Sequence, residues 1–489
     1  MASIEEIRKA RLEKLERIQK KGILAYPGEV KRTHSLSELL KGFSALSKAQ
    51  KEVIAAGRIR TIREHGGSTF FHIEDGTASM QAYLKEDRVG EVPYQFFLEN
   101  IDIGDFVQLR GVLFLTKKGE KTLEVADYKI LSKSLLPLPE KWHGLQDVEE
   151  RYRKRYLDLL FNERVKKNFV VRSKIMQQTR SFLDGEGFLE VETPILQPLY
   201  GGAEAKPFTT RLNAFDMQMY LRIAPELYLK RLLVGGFEKV YEMGRVFRNE
   251  GVDRSHNPDF TMLEFYWAYA DYKDIMKLTE RLVSSVVKAL FRTAKVSYEG
   301  KEIDFKTPWP RVEYAALLRK YAKVDIDSES RDALYARAKE LAVPVEREMT
   351  KFQIADAIYK KFCLPKLWDP TFLIHYPAGA KPLAKLVDGD RSKHANFQLV
   401  VAGWEIVNAF SEQNNPLEQR EVFQEQAKMR KAGIQEAHPM DEDFLEALEY
   451  GMPPAAGFGM GIDRLTALLT DSHSLREVIL FPTMKPKNA

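Results

Sequence analysis

Residues 245 to 267 have the pattern of a β-hairpin, which carries an arginine, two acids and a tyrosine. Arg248 and Glu250 end one predicted strand, and a loop rich in turn-forming residues leads to a second strand. In that second strand, apolar residues alternate with Glu264 and Tyr266, so one face is apolar and the other is polar. This polar face has the chemistry to bind a nucleotide together with a charged small molecule.

A second candidate site is a strand near the C-terminus with glycines at every other position. Gly457, Gly459 and Gly461 would strip one strand face of side chains, so a flat ligand such as an adenine could lie on the backbone. Arg464 follows, and its planar fork suits a phosphate. The spacing is neither the dinucleotide fingerprint nor a phosphate loop. A purely structural strand would show the same glycines, and the pattern alone does not separate the two.

Two further segments carry carboxylates. Asn408, Phe410 and Glu412 alternate onto one predicted strand face, whereas Glu405 has the opposite parity and joins them only if a bulge intervenes. Glu226 opens an apolar helix, where it is either a helix-start acid or a ligand-binding group, because carboxylates favour helix N-termini in any case.

Composition limits the class of protein. The chain has 489 residues, 44% of them hydrophobic and 30% charged, which is typical of a globular protein of several domains. Its net charge of +5 permits a polyanionic partner without demonstrating one. Cys363 is the single cysteine, so a disulfide within the chain is excluded and a buried thiol is expected. The chain lacks a secretory pattern and a run of about 18 apolar residues, so we expect a cytoplasmic protein without a membrane partner.

The front of the chain predicts a helical extension over 1–50 and a small barrel over 51–135. A basic amphipathic helix over 4–21 either packs on a neighbour or contacts phosphates. Five short strands predict an OB-fold: Val53–Ile62, Ser68–Glu74, Ser79–Leu84, Phe106–Leu115 and Thr122–Leu131. Phe70 and Gln81 could lie side by side on the barrel, where Phe70 either stacks on a base or belongs to the core.

The remainder predicts a multidomain α+β protein. A linker or hinge is expected over 136–165, with helices near 148–161 and 164–186. Strands and helices from 166 to 489 lack βαβ regularity, which favours an antiparallel sheet with flanking helices. A helix-rich stretch at about 310–370 suggests an inserted subdomain.

Taken together, these segments resemble a known family. The strand that stops at Pro194, the Phe-Arg-x-Glu hairpin and the Gly-x-Gly-x-Gly-x-x-Arg segment are similar, in order, to the three motifs of class II aminoacyl-tRNA synthetases. The barrel and five shorter segments resemble more narrowly the bacterial-type lysyl-tRNA synthetases of subclass IIb: Gly201-Gly-Ala, Arg222-Ile-Ala-Pro-Glu-Leu-Tyr-Leu-Lys-Arg231, Arg248-Asn-Glu-Gly251, His256-Asn-Pro-Asp-Phe-Thr and Asn408-Ala-Phe-Ser-Glu412. The resemblance covers nearly the whole chain.

The resemblance implies a ligase that activates L-lysine with ATP and then charges the 3′ end of tRNA(Lys). It implies Mg²⁺ as cofactor and a homodimer formed around Gly187–Pro194. The residues implied for catalysis are Arg248 and Arg464; for ATP, Arg248, Glu250, His256, Asn257, Phe260, Glu405 and Arg464; for the amino acid, Gly202, Glu226, Glu264, Tyr266, Asn408, Phe410 and Glu412; for the metal, Glu405 and Glu412; for the anticodon, Arg58, Phe70 and Gln81.

Three carboxylates and a phenol would attract a substrate with two ammonium groups and repel aspartate. By the resemblance, Glu226 and Glu264 lie near the α-amine, and Glu412 and Tyr266 near the ε-amine. The chain departs from many family members at Ala395-Asn-Phe-Gln398, where a glutamate is usual at the last position. A neutral carbonyl is a weaker magnesium ligand, so this departure predicts fewer or more weakly bound ions. Two further departures lie away from the amine-recognising acids, at Lys206 and Ala409.

Three alternatives stay open at this point. An aspartyl- or asparaginyl-tRNA synthetase of the same subclass conflicts with the set of acids. A paralogue that transfers lysine to a protein would lack the barrel. A non-catalytic RNA-binding paralogue would not need both arginines, Arg248 and Arg464.

Overall fold

A computed structural model describes residues 3–139, 147–431 and 437–487. The chain forms two compact units, residues 1–144 and 145–489. Of the expected linker over 136–165, residues 140–146 lie outside the described residues, and 148–165 is helical and belongs to the second unit. The linker expectation was therefore too long at its C-terminal side.

The first unit contains a closed five-stranded barrel with strand order β1-β2-β3-β5-β4. The OB-fold prediction is confirmed, and two of the five strands have the predicted bounds. The elements are α1 (Ile4–Lys20), α2 (Leu36–Lys41), α3 (Phe43–Lys48), β1 (Val53–His65), β2 (Ser68–Glu74), β3 (Ser79–Lys85), α4 (Glu86–Val89), α5 (Glu91–Asn100), β4 (Phe106–Leu115) and β5 (Lys121–Ser132).

Alternation of side chains builds the barrel core. On β2, Phe71 and Ile73 are fully buried, whereas Phe70 and His72 point outward and are half-buried. Phe70 is therefore not a core residue, which removes one of its two interpretations.

Helix α1 packs on its neighbours in the first unit. Its Ser3 and Glu6 form a reciprocal capping box. Arg11 is buried and donates to the carbonyl oxygens of Ser134 and Leu136, both at 3.0 Å. The packing interpretation of this basic helix is thus confirmed for its inner face.

The second unit is built on an eight-stranded sheet with order β14-β15-β18-β19-β20-β11-β10-β6. All neighbouring strands are antiparallel except the two edge pairs, β14 with β15 and β10 with β6. The antiparallel α+β prediction is confirmed. Its strands are β6 (Leu189–Glu190), β7 (Leu196–Gln197), β8 (Thr209–Leu212), β9 (Met217–Leu221), β10 (Lys239–Phe247), β11 (Asp259–Ala268), β12 (Lys295–Tyr298), β13 (Lys301–Asp304), β14 (Arg311–Glu313), β15 (Thr371–Ile374), β16 (Leu386–Val387), β17 (Asp390–His394), β18 (Asn396–Val401), β19 (Trp404–Ser411) and β20 (Ala455–Gly461).

Helices flank this sheet, and one predicted helix is broken. The stretch 148–161 forms two helices with a break at Lys154, and Arg155 behind the break is fully buried against Asp158 and the carbonyl oxygen of Arg476. The helices are α6 (Val148–Arg153), α7 (Arg155–Phe161), α8 (Glu163–Gly185), α9 (Glu226–Val234), α10 (Tyr272–Phe291), α11 (Tyr314–Leu317), α12 (Arg331–Glu340), α13 (Lys351–Phe362), α14 (Pro416–Lys431), α15 (Glu442–Glu449) and α16 (Ile462–Leu469).

The helix-rich stretch near 310–370 connects the edge strand β14 of the main sheet to its neighbour β15. Strands β14 and β15 pair in parallel, and helices α11, α12 and α13 form the crossover between them. This crossover has its own apolar core, which includes the buried thiol of Cys363 and is completed by Leu373 and Val400 of the sheet. None of the helices in the described parts of the chain is long and apolar enough to cross a membrane.

The four central strands bring the chemical segments side by side. Glu264 on β11 pairs with Gly459 on β20, which pairs with Asn408 on β19, which in turn pairs with Gln398 on β18. On β11, Leu263 and Phe265 face the main core, as their alternation predicted. One row of the sheet therefore carries Glu264 of the hairpin, Gly459 of the glycine strand and Asn408 of β19.

Candidate active site

A cavity of about 380 Å³ lies over these central strands. It gathers nearly all of the site residues expected in the second unit, and Glu412 is the expected residue that does not line it. The expected residues that line it are Gly202, Glu226, Arg248, Glu250, His256, Asn257, Phe260, Glu264, Tyr266, Glu405, Asn408, Phe410 and Arg464.

One end of the cavity is acidic and buried. Glu226 and Glu264 are each 5% exposed, and the Tyr266 hydroxyl donates to Glu264 Oε2 at 3.2 Å. Burial, together with the nearby Glu226 carboxylate, raises the pKa of Glu264 to about 8. A buried acid that holds its proton near neutral pH is poised to ionise when a cation arrives.

Glu412 lies at this acidic end, but its partner was not expected. It is 1% exposed and forms an ion pair with the ammonium of Lys230, which also donates to Glu226 Oε1 at 2.6 Å. Burial raises the pKa of Glu412 well above its usual range. This position favours the amino-acid assignment of Glu412 over the metal assignment.

Lys230 is the functional residue that sequence reasoning missed. It appears in the family-like segment of α9, yet no role was expected for it. A signal was present, because Lys230 stands one turn after Glu226 in a helix whose other inward residues are leucines. A lysine at such a position must be buried with a carboxylate partner.

Two glycines let the acids approach. A Cβ atom at Gly457 would collide with Glu412 Oε1 and lie 2.5 Å from the Tyr266 ring. Gly202 has a φ of +85°, and a Cβ there would lie 2.8 Å from the Cβ of Glu226. The strand face at Gly457 is therefore covered by the side chains of Glu412 and Tyr266. The expectation that a flat ligand such as an adenine lies on these glycines stays a prediction.

The other end of the cavity holds Arg248 and Phe260. The strand expected to end at Arg248 and Glu250 ends at Phe247, and the Arg248 amide donates to the Pro258 carbonyl across the loop at 2.9 Å. The Arg248 guanidinium lies over the Phe260 ring, 5.2 Å from its centroid. Burial lowers the pKa of Arg248, and a guanidinium stays charged in proteins.

Arg464 joins the glycine strand to the hairpin loop. It donates to the Glu405 carbonyl at 2.9 Å, and its Nη2 lies 3.5 Å from His256 Nε2. His256 Nδ1 lies 3.0 Å from the Asp253 carboxylate. Partial burial alone would raise the pKa of Asp253, but hydrogen bonds from His256 and Ser255 hold it at about 2. This chain of contacts holds Arg464 at the same end of the cavity as the hairpin loop.

A β-bulge resolves the parity of Glu405. Val407 pairs with Leu399 and Glu405 pairs with Val400, so β19 has one extra residue, and both Ile406 and Val407 lie in the core. Glu405 therefore lines the same cavity as Asn408 and Phe410. Such a bulge is required for Glu405 to join these residues, but the sequence alone could not show whether the bulge was present.

Gln398 also lines the cavity, and its carbonyl is already occupied. Its Oε1 accepts a hydrogen bond of 2.5 Å from the buried Tyr376 hydroxyl. Across the described ranges of the chain, no group of three His, Cys, Asp or Glu side chains could hold a metal ion.

The expected anticodon residues lie on the outer face of the barrel. Phe70 pairs with Tyr83 rather than Gln81, with ring centroids 4.5 Å apart, and Gln81 pairs with His72. Phe70 and Gln81 are thus diagonal neighbours, not side by side. The Arg58 guanidinium lies 4.3 Å from the Phe106 ring centroid, and Gln81 Oε1 accepts from the Thr122 hydroxyl at 2.8 Å; all three expected residues are half-buried.

Comparison with known proteins agrees with both units. Residues 53–131 match the OB-fold nucleic acid binding domain, and residues 147–485 match the tRNA synthetases of class II (D, K and N). The chain is 49% identical over 487 residues to the lysine–tRNA ligase of Carboxydothermus hydrogenoformans, covering 99% of each chain. It is 50% identical over 479 residues to that of Moorella thermoacetica, covering 98% of this chain and 97% of the relative. It is 46% identical over 488 residues to that of Thermotoga maritima, covering 99% and 97%. The chain therefore belongs to the class II tRNA synthetases (D, K and N), with an OB-fold domain ahead of the synthetase domain.

Proposed function

We propose that this synthetase is a lysine–tRNA ligase. It activates L-lysine with ATP to lysyl-adenylate, releases pyrophosphate and esterifies the 3′ end of tRNA(Lys). The observation that carries the proposal is a buried pocket of carboxylates that opens into the same cavity as Arg248 and Arg464. The full-length likeness to lysine–tRNA ligases supports the same conclusion.

The acidic end selects the amino acid. Glu226 and Glu264 receive the α-ammonium, and Glu412 with Tyr266 receives the ε-ammonium. Buried carboxylates favour a dication at the amine positions, because an unpaired buried charge is costly. Aspartate and asparagine lack a side-chain cation, so they would leave Glu412 without a partner beyond Lys230.

The first step joins lysine to the nucleotide. A lysine carboxylate oxygen attacks the α-phosphorus of ATP, and the bond from that phosphorus to the β-phosphate oxygen breaks. Arg248 holds the α-phosphate and the carboxylate, Asn408 orients the carboxylate, and Arg464 holds the γ-phosphate. Such transfer depends on positioning and charge neutralisation more than on a protein nucleophile.

Further residues hold the nucleotide. Phe260 stacks on the adenine, with Arg248 already on one face of its ring. Glu250, His256 and Asn257 border the nucleotide from the hairpin loop, and Gly202 lies beside the α-ammonium site. In the second step, a 3′-terminal ribose hydroxyl of tRNA attacks the lysyl carbonyl, and AMP leaves.

Magnesium is proposed as the cofactor, held by Glu405 together with the ATP phosphates. Mg²⁺ commonly takes one or two carboxylates plus substrate phosphates, and Glu405 supplies one at the nucleotide end. When bound, the ion neutralises phosphate charge. Glu412 lies at the acidic end beside Lys230, and Gln398 has a neutral carbonyl that already accepts from Tyr376, so neither supplies a carboxylate oxygen to the nucleotide end.

The barrel is proposed to bind the anticodon of tRNA(Lys). Phe70 offers an outward-pointing, half-buried ring for stacking on a base, and Arg58 and Gln81 offer polar groups on the same outer face. Tyr83 supports Phe70 from the next strand. An RNA base is the ligand that this combination of aromatic and amide groups suits.

A homodimer and a cytoplasmic location are proposed as well. Strand β6 forms the edge of the main sheet, and three apolar residues near it are more than two-fifths exposed: Leu189, Ile195 and Leu196. Such a patch beside a sheet edge suits a second copy of the chain. A solution mass of one chain at micromolar concentration would refute the dimer. The cytoplasm is where tRNA charging supplies translation.

Acylation of purified tRNA tests the function. The chain is incubated with ATP, magnesium and tRNA(Lys), with lysine, aspartate or asparagine as the labelled amino acid. Label should enter tRNA(Lys) with lysine alone. Transfer of aspartate to tRNA(Asp) or asparagine to tRNA(Asn) would instead support the other specificities of the family.

A further inference from the structure

Lys230 is a fully buried lysine beside the acidic end of the cavity proposed to bind lysine, and it does not line that cavity. Its side chain is 0% exposed, and it lies on α9 one turn after Glu226. Its Nζ is 2.6 Å from Glu226 Oε1 and is ion-paired with Glu412 Oε2. One ammonium group thus bridges two of the three acids.

The surroundings of Lys230 fit a permanently charged group. Burial alone would lower its pKa, but Glu226 and Glu412 reverse this effect and raise it. The rings of Phe410 and Phe444 flank the ammonium, with centroids 5.7 and 5.9 Å away. Two carboxylates and two rings surround a cation that has no access to water.

The bridge determines which oxygens are left for a ligand. Neither buried oxygen of Glu412 has a hydrogen-bond partner, but Oε2 is ion-paired with Lys230, whereas Oε1 lies over Gly457 beside the Tyr266 ring. A buried acceptor without a partner is costly unless a ligand completes it. Glu412 Oε1 is therefore the oxygen available to an incoming ammonium.

We propose that Lys230 is a positioning residue for amino-acid selection, which holds Glu412 at the depth that a lysine ε-ammonium reaches. This inference rests on the proposed function. When ionised, the acids Glu226, Glu264 and Glu412 face two fixed cations, Lys230 and Arg248, which leaves one negative charge. Lysine carries one net positive charge and neutralises it.

The ion pair between Lys230 and Glu412 also affects which length of substrate is accepted. Ornithine is one methylene shorter, so its side-chain ammonium would stop short of Glu412. To reach it, Glu412 would have to move toward the opening of the pocket, and its bond to Lys230 opposes that movement. Removing the ammonium frees Glu412 to follow the shorter substrate.

The test measures ATP–pyrophosphate exchange with lysine and ornithine for the full chain and for Lys230→Gln. We expect the KM for lysine to rise by roughly tenfold or more, and the lysine-to-ornithine preference in kcat/KM to fall by roughly tenfold. The KM for ATP should change less than about twofold, because the arginine end is untouched. An equal loss for both amino acids, or for lysine and ATP alike, would show a merely structural role and overturn the proposal.

Lys133→Met provides a matched control. Lys133 is another buried lysine between two carboxylates, Asp102 and Asp105, but it belongs to the barrel and lines no part of the cavity. Its loss should lower thermal stability without altering the lysine-to-ornithine preference. A similar fall in preference for Lys133→Met would attribute the effect to stability and contradict the proposal.

Two further outcomes are decisive. If Lys230→Gln does not fold, Lys230→Arg is measured instead, because arginine keeps the charge but moves it with a longer, forked group. An unchanged lysine-to-ornithine preference in Lys230→Arg then overturns the proposal. If the unaltered chain shows no lysine-dependent exchange, the proposed function fails and this inference falls with it. Normal exchange by the unaltered chain with no effect of Lys230→Gln refutes this inference alone.

Discussion

The carboxylate of Glu412 occupies the space that a side chain at Gly457 would need. Gly457 pairs with Tyr266 and Phe410 in the sheet, and Glu412 lies directly after the end of β19. The glycine strand therefore reaches from the acidic end of the cavity at Gly457 to the proposed phosphate end near Arg464.

Gly457→Ala should weaken lysine activation. The added methyl must displace Glu412 or Tyr266, and overpacking of this kind costs about 1–3 kcal/mol. Exchange kinetics should show the KM for lysine rising roughly 5- to 150-fold, with a smaller change for ATP. Gly459→Ala is the comparison, because a Cβ there meets no atom closer than 3.7 Å. Equal effects of the two substitutions would contradict the steric explanation.

Lysine binding should strengthen as pH rises toward 8. The free site holds a proton on Glu264, whose pKa is raised to about 8, and only the ionised carboxylate offsets an ammonium. Below that pH, binding must release the proton, so the KM for lysine should fall by up to about tenfold per pH unit. Glu264→Gln removes this titrating group, so the KM for lysine should depend less on pH in this variant. A profile shared by both proteins would assign the titration to another group or to the substrate.

Gln398→Glu should tighten magnesium binding. The substitution adds a second carboxylate besides Glu405, on the strand next to Asn408. The present Gln398 amide oxygen accepts a hydrogen bond from Tyr376 at this position. Calorimetry with a non-hydrolysable ATP analogue should show magnesium binding about tenfold tighter, since a nearby opposite charge adds a kcal/mol or more. Tyr376→Phe controls for the loss of the hydrogen bond alone. Unchanged magnesium affinity in Gln398→Glu would place the ion away from this position.

Phe70→Ala should impair tRNA charging more than amino-acid activation. Loss of one stacked base costs about 1–3 kcal/mol, which should appear in the KM for tRNA(Lys). Pyrophosphate exchange needs no tRNA and should fall far less. Phe71→Ala is the contrast, because Phe71 is a core residue and its loss should lower the melting temperature of the barrel. Unaltered charging by Phe70→Ala would show that this face does not bind the anticodon.

The alternation of apolar and polar residues was enough to predict which side chains face the core wherever one face of a strand is buried. The barrel strands and the alternation around Glu264 followed from it, because a period of two decides which side chains face the core. The bulge at Glu405 could not be predicted in this way, since one extra residue inverts the parity and leaves no separate mark in the sequence.

Side-chain pairing was harder to predict than strand position. The family resemblance brought Glu226 and Glu412 to one pocket, but it did not reveal that Lys230 lies between them. Likewise, Gln398 could be recognised as a departure, whereas its bond to Tyr376 depends on how the crossover packs against the sheet. Such contacts join segments far apart in the chain, so local patterns carry little information about them.

Amino-acid-dependent ATP–pyrophosphate exchange, measured over all twenty amino acids, tests the central claim most directly. A pocket in which Glu226, Glu264 and Glu412 await two ammonium groups predicts exchange with lysine and with no other amino acid of the set. Absence of exchange with lysine, or faster exchange with aspartate or asparagine, would contradict the account.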